Sequence, residues 1–147
     1  MQAPGEVEIL LAEDSARDAE MTQRVLRRHN LGNHVVWVRD GAEALDFLFC
    51  RGAFVGRSAL RLPRLVLLDI KMPKVDGIEV LRQVKADART RAVPVVVMTS
   101  SNEEQDVLES YRLGVNSYIV KPVEFGAFAE VVAKIGLYWV LTNRIPD

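Results

Sequence analysis

Five short apolar runs, each followed by a stretch with helical periodicity, constrain the fold of this chain more than any other feature. They are "VEILLA" (7–12), "HVVWV" (34–38), "RLVLL" (64–68), "VPVVVM" (93–98) and "NSYIV" (116–120). Near-continuous runs of Val, Leu and Ile are typical of parallel strands that helices cover on both faces. The second run carries the large Trp37, which suits an edge strand.

The segments between the runs predict helices. Ser15 with Asp18 three residues later is typical of a capping box, which predicts a helix from there to about His29. Apolar spacing predicts further helices in "GAEALDFLFC" and "GIEVLRQVKA", and a last one with an apolar stripe from Phe125 to Trp139. "NEEQDVLESYRLG" begins with Asn102 and two acids, which suit a helix N-terminus, and it stops at Gly114. This strand–helix alternation predicts an α/β fold with a parallel five-stranded sheet between helical layers.

Length and composition limit the domain count and the partners. The 147 residues fit one domain, and we expect a single domain over 1–147, with a core from about 7 to 141 and no output domain. The 19 Lys and Arg balance the 20 Asp and Glu, which gives no electrostatic case for nucleic acid or an anionic membrane. The single Cys excludes an internal disulfide, and no apolar run approaches the ~18–20 residues that span a bilayer, so we expect a cytoplasmic protein.

Polar side chains follow four of the predicted strands. Glu13 and Asp14 follow the first, Asp69 follows the third, Thr99 the fourth and Lys121 the fifth. Because the carboxyl ends of parallel strands share one edge of a sheet, where α/β proteins bind ligands, we expect these groups to converge there. A lone strand-end Asp is usually a turn or capping residue, but the coincidence of all five favours a site.

Three ionised carboxylates repel one another, so the cluster predicts a bound divalent cation. Its donors are all oxygen atoms, which favours a hard ion such as Mg²⁺, with Mn²⁺ possible, over Zn²⁺. The set suits delivery of a phosphoryl group to a carboxylate oxygen. Asp69 would be the nucleophile, Lys121 would neutralise developing charge and Thr99 would orient an oxygen.

The motifs at these positions resemble the receiver domain of two-component response regulators, over about Val7 to Trp139. They are "LLAEDS", "LLDIKMPKVDG", "VVVMTS" and "SYIVKP". The resemblance implies a flavodoxin-like, doubly wound (βα)5 fold with strand order 2-1-3-4-5. It also implies a signalling protein and not an enzyme: Asp69 would accept a phosphoryl group from a phosphohistidine of a kinase in a self-catalysed, Mg²⁺-dependent reaction, and the acyl phosphate would later be hydrolysed.

The same resemblance assigns roles to the site residues. Glu13 and Asp14 look like the metal-binding acids, with Asp14 and Asp69 as direct ligands and the main-chain carbonyl of Lys71 as a third. Glu13 stands where the family more often has Asp, and its longer arm suggests contact through water. No organic cofactor is implied.

The resemblance also implies a conformational switch. On phosphorylation Thr99 would move toward the phosphate and Tyr118 would turn inward, although an aromatic residue in a half-buried strand is also expected from propensity alone. The family carries a cis peptide bond before the Pro, so Lys121–Pro122 is predicted to be cis. The family dimerises through helix 4, strand 5 and helix 5, which predicts a homodimer here.

A narrower resemblance concerns the partner. "GAEALDFLF", "SYRLGVNSYIVKPVEFGAF" and "IGLYWVLTNRIP" resemble single-domain regulators that serve phytochrome-type, light-sensing histidine kinases. We therefore expect a bacteriophytochrome-like kinase as the partner. The long connection over 51–63 suits either a surface loop or a binding loop.

Three alternative functions fit the motifs less well. A haloacid-dehalogenase-type phosphatase with an aspartyl-phosphate intermediate needs a second Asp two residues after the nucleophile, where Lys71 stands. An FMN-binding flavodoxin needs a Ser, Thr or Gly phosphate loop where Glu13 and Asp14 stand. A docking-only pseudo-receiver usually lacks the acceptor or the Lys, and this chain has both Asp69 and Lys121.

Overall fold

A computed structural model describes residues 9–29, 35–57, 62–100 and 104–134 of the protein. The strands are β1 (Ile9–Ala12), β2 (Val35–Val38), β3 (Leu65–Asp69), β4 (Val95–Thr99) and β5 (Ser117–Val120). The helices are α1 (Ala16–Arg28), α2 (Gly41–Leu48), α3 (Gly77–Ala86), α4 (Glu104–Arg112) and α5 (Phe125–Lys134), with a short 3₁₀ helix at Gly52–Phe54. None of the helices in the described ranges has the length and apolar character needed to cross a membrane.

The strands form one sheet in the order β2-β1-β3-β4-β5, and every neighbouring pair is parallel. This is the predicted flavodoxin-like order, so the expectation of a doubly wound α/β fold is confirmed. The order places β1 and β3 side by side near the middle of the sheet and leaves β2 and β5 at its edges. The residues that follow β1 and end β3 must therefore lie close together.

The hydrophobic core has two parts, one on each face of the sheet. Leu10 and Ala12 of β1 belong to the part that α2 and α3 cover, while Ile9 and Leu11 belong to the part that α1 and α5 cover. All four side chains are fully buried. Because both faces of β1 are covered, no position in it tolerates a polar residue, which explains the continuous apolar run in the sequence.

The bounds of β3, β4 and β5 differ from the prediction by one or two residues, and β5 begins at Ser117 and not at position 116. β3 includes Asp69, which is paired in register with Met98 of β4. β4 begins at Val95 and not at Val93, since Pro94 has no amide hydrogen to give to a ladder; its carbonyl accepts the amide of Val66 at 2.9 Å. Positions 7, 8 and 34 of the predicted strands, and the predicted stripe beyond 134 with Trp139, lie outside the described residues.

Part of the long connection after α2 packs on the domain. The ring of Phe54 lies edge-on to that of Phe47, with 5.0 Å between centroids, and Phe47 is buried in the core. The guanidinium of Arg57 lies 3.6 Å from the centroid of the same ring. Residues 51–57 are thus held against α2, while 58–61 lie outside the described residues.

Gly77, at the start of α3, lies against the main chain of β3. A Cβ atom at this position would lie 2.2 Å from the carbonyl oxygen of Asp69 and 2.8 Å from the Cα of Ile70. We expect Gly77→Ala to lower the free energy of unfolding by about 1–3 kcal/mol, because rigid backbone must shift to admit the methyl group. Denaturant titration measures this change.

Gly126 in α5 supplies a matched control, because a Cβ there has nothing within 4 Å. Gly126→Ala should leave stability unchanged or raise it by up to about 1 kcal/mol, since Ala favours the helix. A Gly77→Ala protein as stable as the Gly126→Ala protein would contradict the tight approach of α3 to β3.

Candidate functional site

Three carboxylates meet where β1 and β3 end. Glu13 and Asp14 directly follow β1, and Asp69 is the last residue of β3. One carboxylate oxygen from each residue lies within 4.8 Å of the others. Glu13 and Asp69 are buried, at 0% and 3% exposure, whereas Asp14 is exposed at the mouth of the cluster. The predicted convergence of these acids is therefore present in the geometry.

Lys121, which follows β5, places its ammonium among the acids. Its Nζ lies 3.0 Å from Glu13 Oε1, 3.3 Å from Asp18 Oδ2 and 3.4 Å from Asp69 Oδ1. The amide of Lys121 donates to the carbonyl of Thr99 at 2.8 Å, which holds the start of the following turn against β4. The Lys121–Pro122 bond is cis, as predicted.

Glu13 is anchored at both its side chain and its main chain. Oε1 accepts a hydrogen bond from Lys121, and Oε2 accepts one from the amide of Ser15 at 3.2 Å. The amide of Glu13 donates to the carbonyl of Val38 at 3.0 Å, and its carbonyl accepts the indole N–H of Trp37 at 2.7 Å. The longer arm of Glu13 therefore reaches the ammonium.

Two buried carboxyl groups, those of Glu13 and Asp69, share the ammonium of Lys121. Burial raises the pKa of Asp69 to about 8, and a hydrogen bond with Glu13 and the charge of Glu13 add to this effect against the opposing influence of Lys121. Burial alone would lower the pKa of Lys121, but its hydrogen bond to Glu13 and the charges of Asp69 and Glu13 outweigh that cost and raise it. Lys121 thus stays an ammonium.

The donor set of the cluster fits a hard divalent cation. Glu13, Asp14 and Asp69 offer only carboxylate oxygens, the ligands that Mg²⁺ and Mn²⁺ prefer. A doubly charged ion would also offset the burial and the charge of Glu13, which both raise the pKa of Asp69. An open cleft of about 610 Å³ leads to these acids, and Lys71 and Ser100 lie in its wall.

The two residues of the predicted switch lie on neighbouring strands. Thr99 ends β4 and is buried, and its hydroxyl donates to the carbonyl of Ser100 at 3.0 Å. Tyr118 lies in β5 with 40% of its surface exposed, and its ring stands perpendicular to that of Tyr111 at 6.1 Å. The Thr99 hydroxyl therefore lies at the edge of the sheet where the acids meet, and the Tyr118 ring faces outward.

Sequence reasoning did not assign two residues, Asp18 and Trp37, to the site. The capping box at the start of α1 is only half formed: Ser15 Oγ accepts the amide of Asp18 at 3.2 Å, but the Asp18 carboxylate faces Lys121. The amide of Ser15 is bound by Glu13 in its place. Asp18 could have been found from its position on the first turn after the acidic pair, whereas the bond from Trp37 to Glu13 has no sequence signal.

A five-stranded parallel sheet in this order, with acids after β1, an Asp at the end of β3 and a Lys after β5, is the arrangement of a receiver domain. Residues 9–133 match the family model of the response regulator receiver domain. The chain belongs to this family, whose members are signalling proteins.

Similar proteins narrow the class. "Probable methanogenesis regulatory protein FilR2" from Methanothrix harundinacea is 44% identical over 94% of this chain and 86% of that protein. "Response regulator Rcp1" from Synechocystis is 37% identical over 94% of this chain and 92% of that protein. The solved structure of the bacteriophytochrome response regulator RtBRR is 50% identical, with a TM-score of 0.84, over 96% of this chain and 84% of that one.

A solved structure of Rcp1 is the Mn²⁺-bound form, with a TM-score of 0.75 and 36% identity over 96% of this chain and 99% of that one. The likeness to regulators of phytochrome-type kinases, expected from the sequence, is thus confirmed. The haloacid-dehalogenase alternative is not supported, because the family model that matches is that of the receiver.

Proposed function

We propose that the protein is a phosphoacceptor of a two-component system and that Asp69 takes the phosphoryl group from a phosphohistidine of a sensor kinase. The observation that carries this proposal is the position of Asp69: a buried carboxylate at a strand end, 3.4 Å from an ammonium and open to a cleft. A carboxylate oxygen of Asp69 would attack phosphorus as the bond from phosphorus to the histidine nitrogen breaks.

The other residues of the site would stabilise this transfer. Lys121 is close enough to Asp69 to bind a phosphoryl oxygen once the phosphoryl group is attached, and Thr99 offers a hydroxyl from the next strand. Glu13 positions Lys121 and, with Asp14, Asp69 and the main-chain carbonyl of Lys71, completes the proposed cation site. A cation held there, Mg²⁺ or Mn²⁺, would supply positive charge for the phosphoryl oxygens; the Mn²⁺-bound form of Rcp1 supports this choice.

Labelling of the wild-type protein tests the function. Incubation with a small phosphodonor such as acetyl phosphate and Mg²⁺ should add one phosphoryl group that hydroxylamine removes, because acyl phosphates react with this nucleophile. Intact-mass spectrometry counts the groups. Addition of excess EDTA should suppress uptake of the phosphoryl group. A wild-type protein that gains no phosphoryl group with Mg²⁺ present would refute the proposal.

We further propose that the donor kinase is phytochrome-type and that the protein works as a single-domain regulator in the cytoplasm. Support comes from RtBRR, a bacteriophytochrome response regulator that is 50% identical. Phosphotransfer from a panel of the host's purified histidine kinases would identify the donor. Fastest transfer from a kinase without a phytochrome module would refute the light-sensing assignment.

The face formed by α4 and β5 is the proposed surface for a homodimer, together with α5. Four apolar or aromatic side chains are exposed there: Leu108, Tyr111, Tyr118 and Val120, at 63%, 48%, 40% and 46%. Exposed apolar patches of this kind commonly mark protein interaction sites. The Tyr118 ring belongs to this face, so an inward turn of Tyr118 would couple phosphorylation to the dimer.

Leu108→Glu should weaken this dimer without affecting phosphoryl uptake, because the substitution adds charge to the exposed face and not to the site. Sedimentation velocity with and without beryllofluoride, a mimic of the phosphoryl group, measures the change. Val55→Glu is the matched control, since Val55 is 74% exposed in the loop after α2. Equal dimerisation of both variants would place the interface elsewhere.

A further inference from the structure

Trp37 of β2 makes a side-chain contact that links the edge of the sheet to the acidic site. Its indole Nε1 donates to the carbonyl oxygen of Glu13 at 2.7 Å, across 24 positions of sequence. The ring packs against the part of the core that α1 and α5 cover. The guanidinium of Arg39 lies 4.8 Å from the ring centroid. The ring therefore packs against the core on one side, and the guanidinium of Arg39 lies over it.

The carbonyl that Trp37 binds lies where the ladder between β1 and β2 ends. The last main-chain bond of this ladder runs from the amide of Glu13 to the carbonyl of Val38. The next amide of a parallel ladder would be that of Asp40, where the chain turns into α2 and the Asp40 carboxylate accepts the amide of Glu43 at 2.8 Å. Glu13 is fully buried, so its carbonyl needs a donor, and the indole is one.

We propose that Trp37 is a positioning residue for the cation site: its hydrogen bond sets the plane of the peptide between Glu13 and Asp14, and so the direction of the Asp14 carboxylate. This inference rests on the proposed function. Without the indole N–H, the buried carbonyl would have to rotate toward another donor, and the peptide would carry Asp14 with it. Groups that orient metal ligands in this way commonly change metal affinity when they are altered.

The alternative is that Trp37 matters only as an apolar ring, and two substitutions separate these roles. Trp37→Phe removes the N–H and part of the ring. Benzothienylalanine at position 37 keeps the bicyclic shape and replaces only the N–H with sulfur. Trp139→Phe serves as the parent, so that Trp37 is the single tryptophan that the analogue replaces.

The readout is the affinity for Mn²⁺ alone, measured by electron paramagnetic resonance of the free ion. We expect both changes at Trp37 to weaken Mn²⁺ binding by about 10-fold. Arg39→Met, which removes the cation above the ring but leaves the N–H, should keep the affinity of the parent. Unfolding in EDTA, followed in parallel, reports any purely structural loss.

Three results would decide the question against part or all of this scheme. A benzothienylalanine protein that binds Mn²⁺ as tightly as its parent would overturn the role of Trp37 and leave the metal site intact. Weakened binding that appears equally in Arg39→Met would assign the effect to ring packing. A parent protein that binds no Mn²⁺ would overturn the proposed cation site and this inference with it.

Discussion

Asp69→Asn is expected to reduce phosphoryl uptake from a small phosphodonor to the background of the assay. The amide keeps the size of the side chain but has no nucleophilic oxygen, so the acyl phosphate cannot form. Because Asn matches Asp in size and the ladder from β3 to β4 is made by main-chain atoms, the substitution leaves the strand in place. Uptake is followed by intact mass in Mg²⁺.

Asp87→Asn is the matched control for this experiment. Asp87 follows α3 and forms an ion pair with Arg89, with 2.9 Å between Oδ2 and Nη2. The control variant therefore also loses one carboxylate, but outside the proposed site. This variant should be labelled as fast as the wild type. If Asp69→Asn still gains one hydroxylamine-sensitive group, the acceptor is a different carboxylate. Reduction of the acyl phosphate with borohydride, followed by peptide mapping, would then identify it.

The sheet and the convergence of its polar groups could be predicted because both follow from periodicity. A strand that is buried on both faces must be apolar, so β1 and β3 are visible in the sequence as continuous apolar runs. The first run ends just before Glu13 and the second just before Asp69. The parallel direction then brings the strand ends to one edge whatever the details of packing. The strand order itself came from the resemblance to a family.

The individual contacts of the site could not be predicted, because they depend on side-chain direction at positions far apart in sequence. Asp18 and Lys121 are separated by 103 positions, and Trp37 and Glu13 by 24. At Asp18 the local rule for a helix start predicted a bond back to Ser15, but the nearby ammonium of Lys121 draws the carboxylate into the site. Glu13 takes over the amide of Ser15, since its longer arm can reach both groups.

The stability of the metal-free protein should fall as pH rises from about 4 to about 8, and Asp69→Asn should remove much of this dependence. Burial is the main reason that the pKa of Asp69 in the folded protein is raised to about 8, whereas its pKa in the unfolded chain is near 3.8. Between these values the folded state binds more protons than the unfolded state, so higher pH favours unfolding. Lys121 adds no slope in this window, because its raised pKa stabilises the fold equally at any pH below 10.5.

The difference in unfolding free energy between Asp69→Asn and the wild type, in EDTA, should therefore grow in favour of the variant by on the order of 4 kcal/mol from pH 4.5 to pH 8. Denaturant titrations at several pH values measure this difference. A difference that stays constant with pH would contradict the raised pKa of Asp69 in the folded protein. Saturating Mg²⁺ should reduce this advantage of the variant, because a ligand of the folded state at 100 times its Kd adds about 2.7 kcal/mol to the wild type and less to a variant without the Asp69 carboxylate. The same buried charge thus destabilises the metal-free fold and favours cation binding.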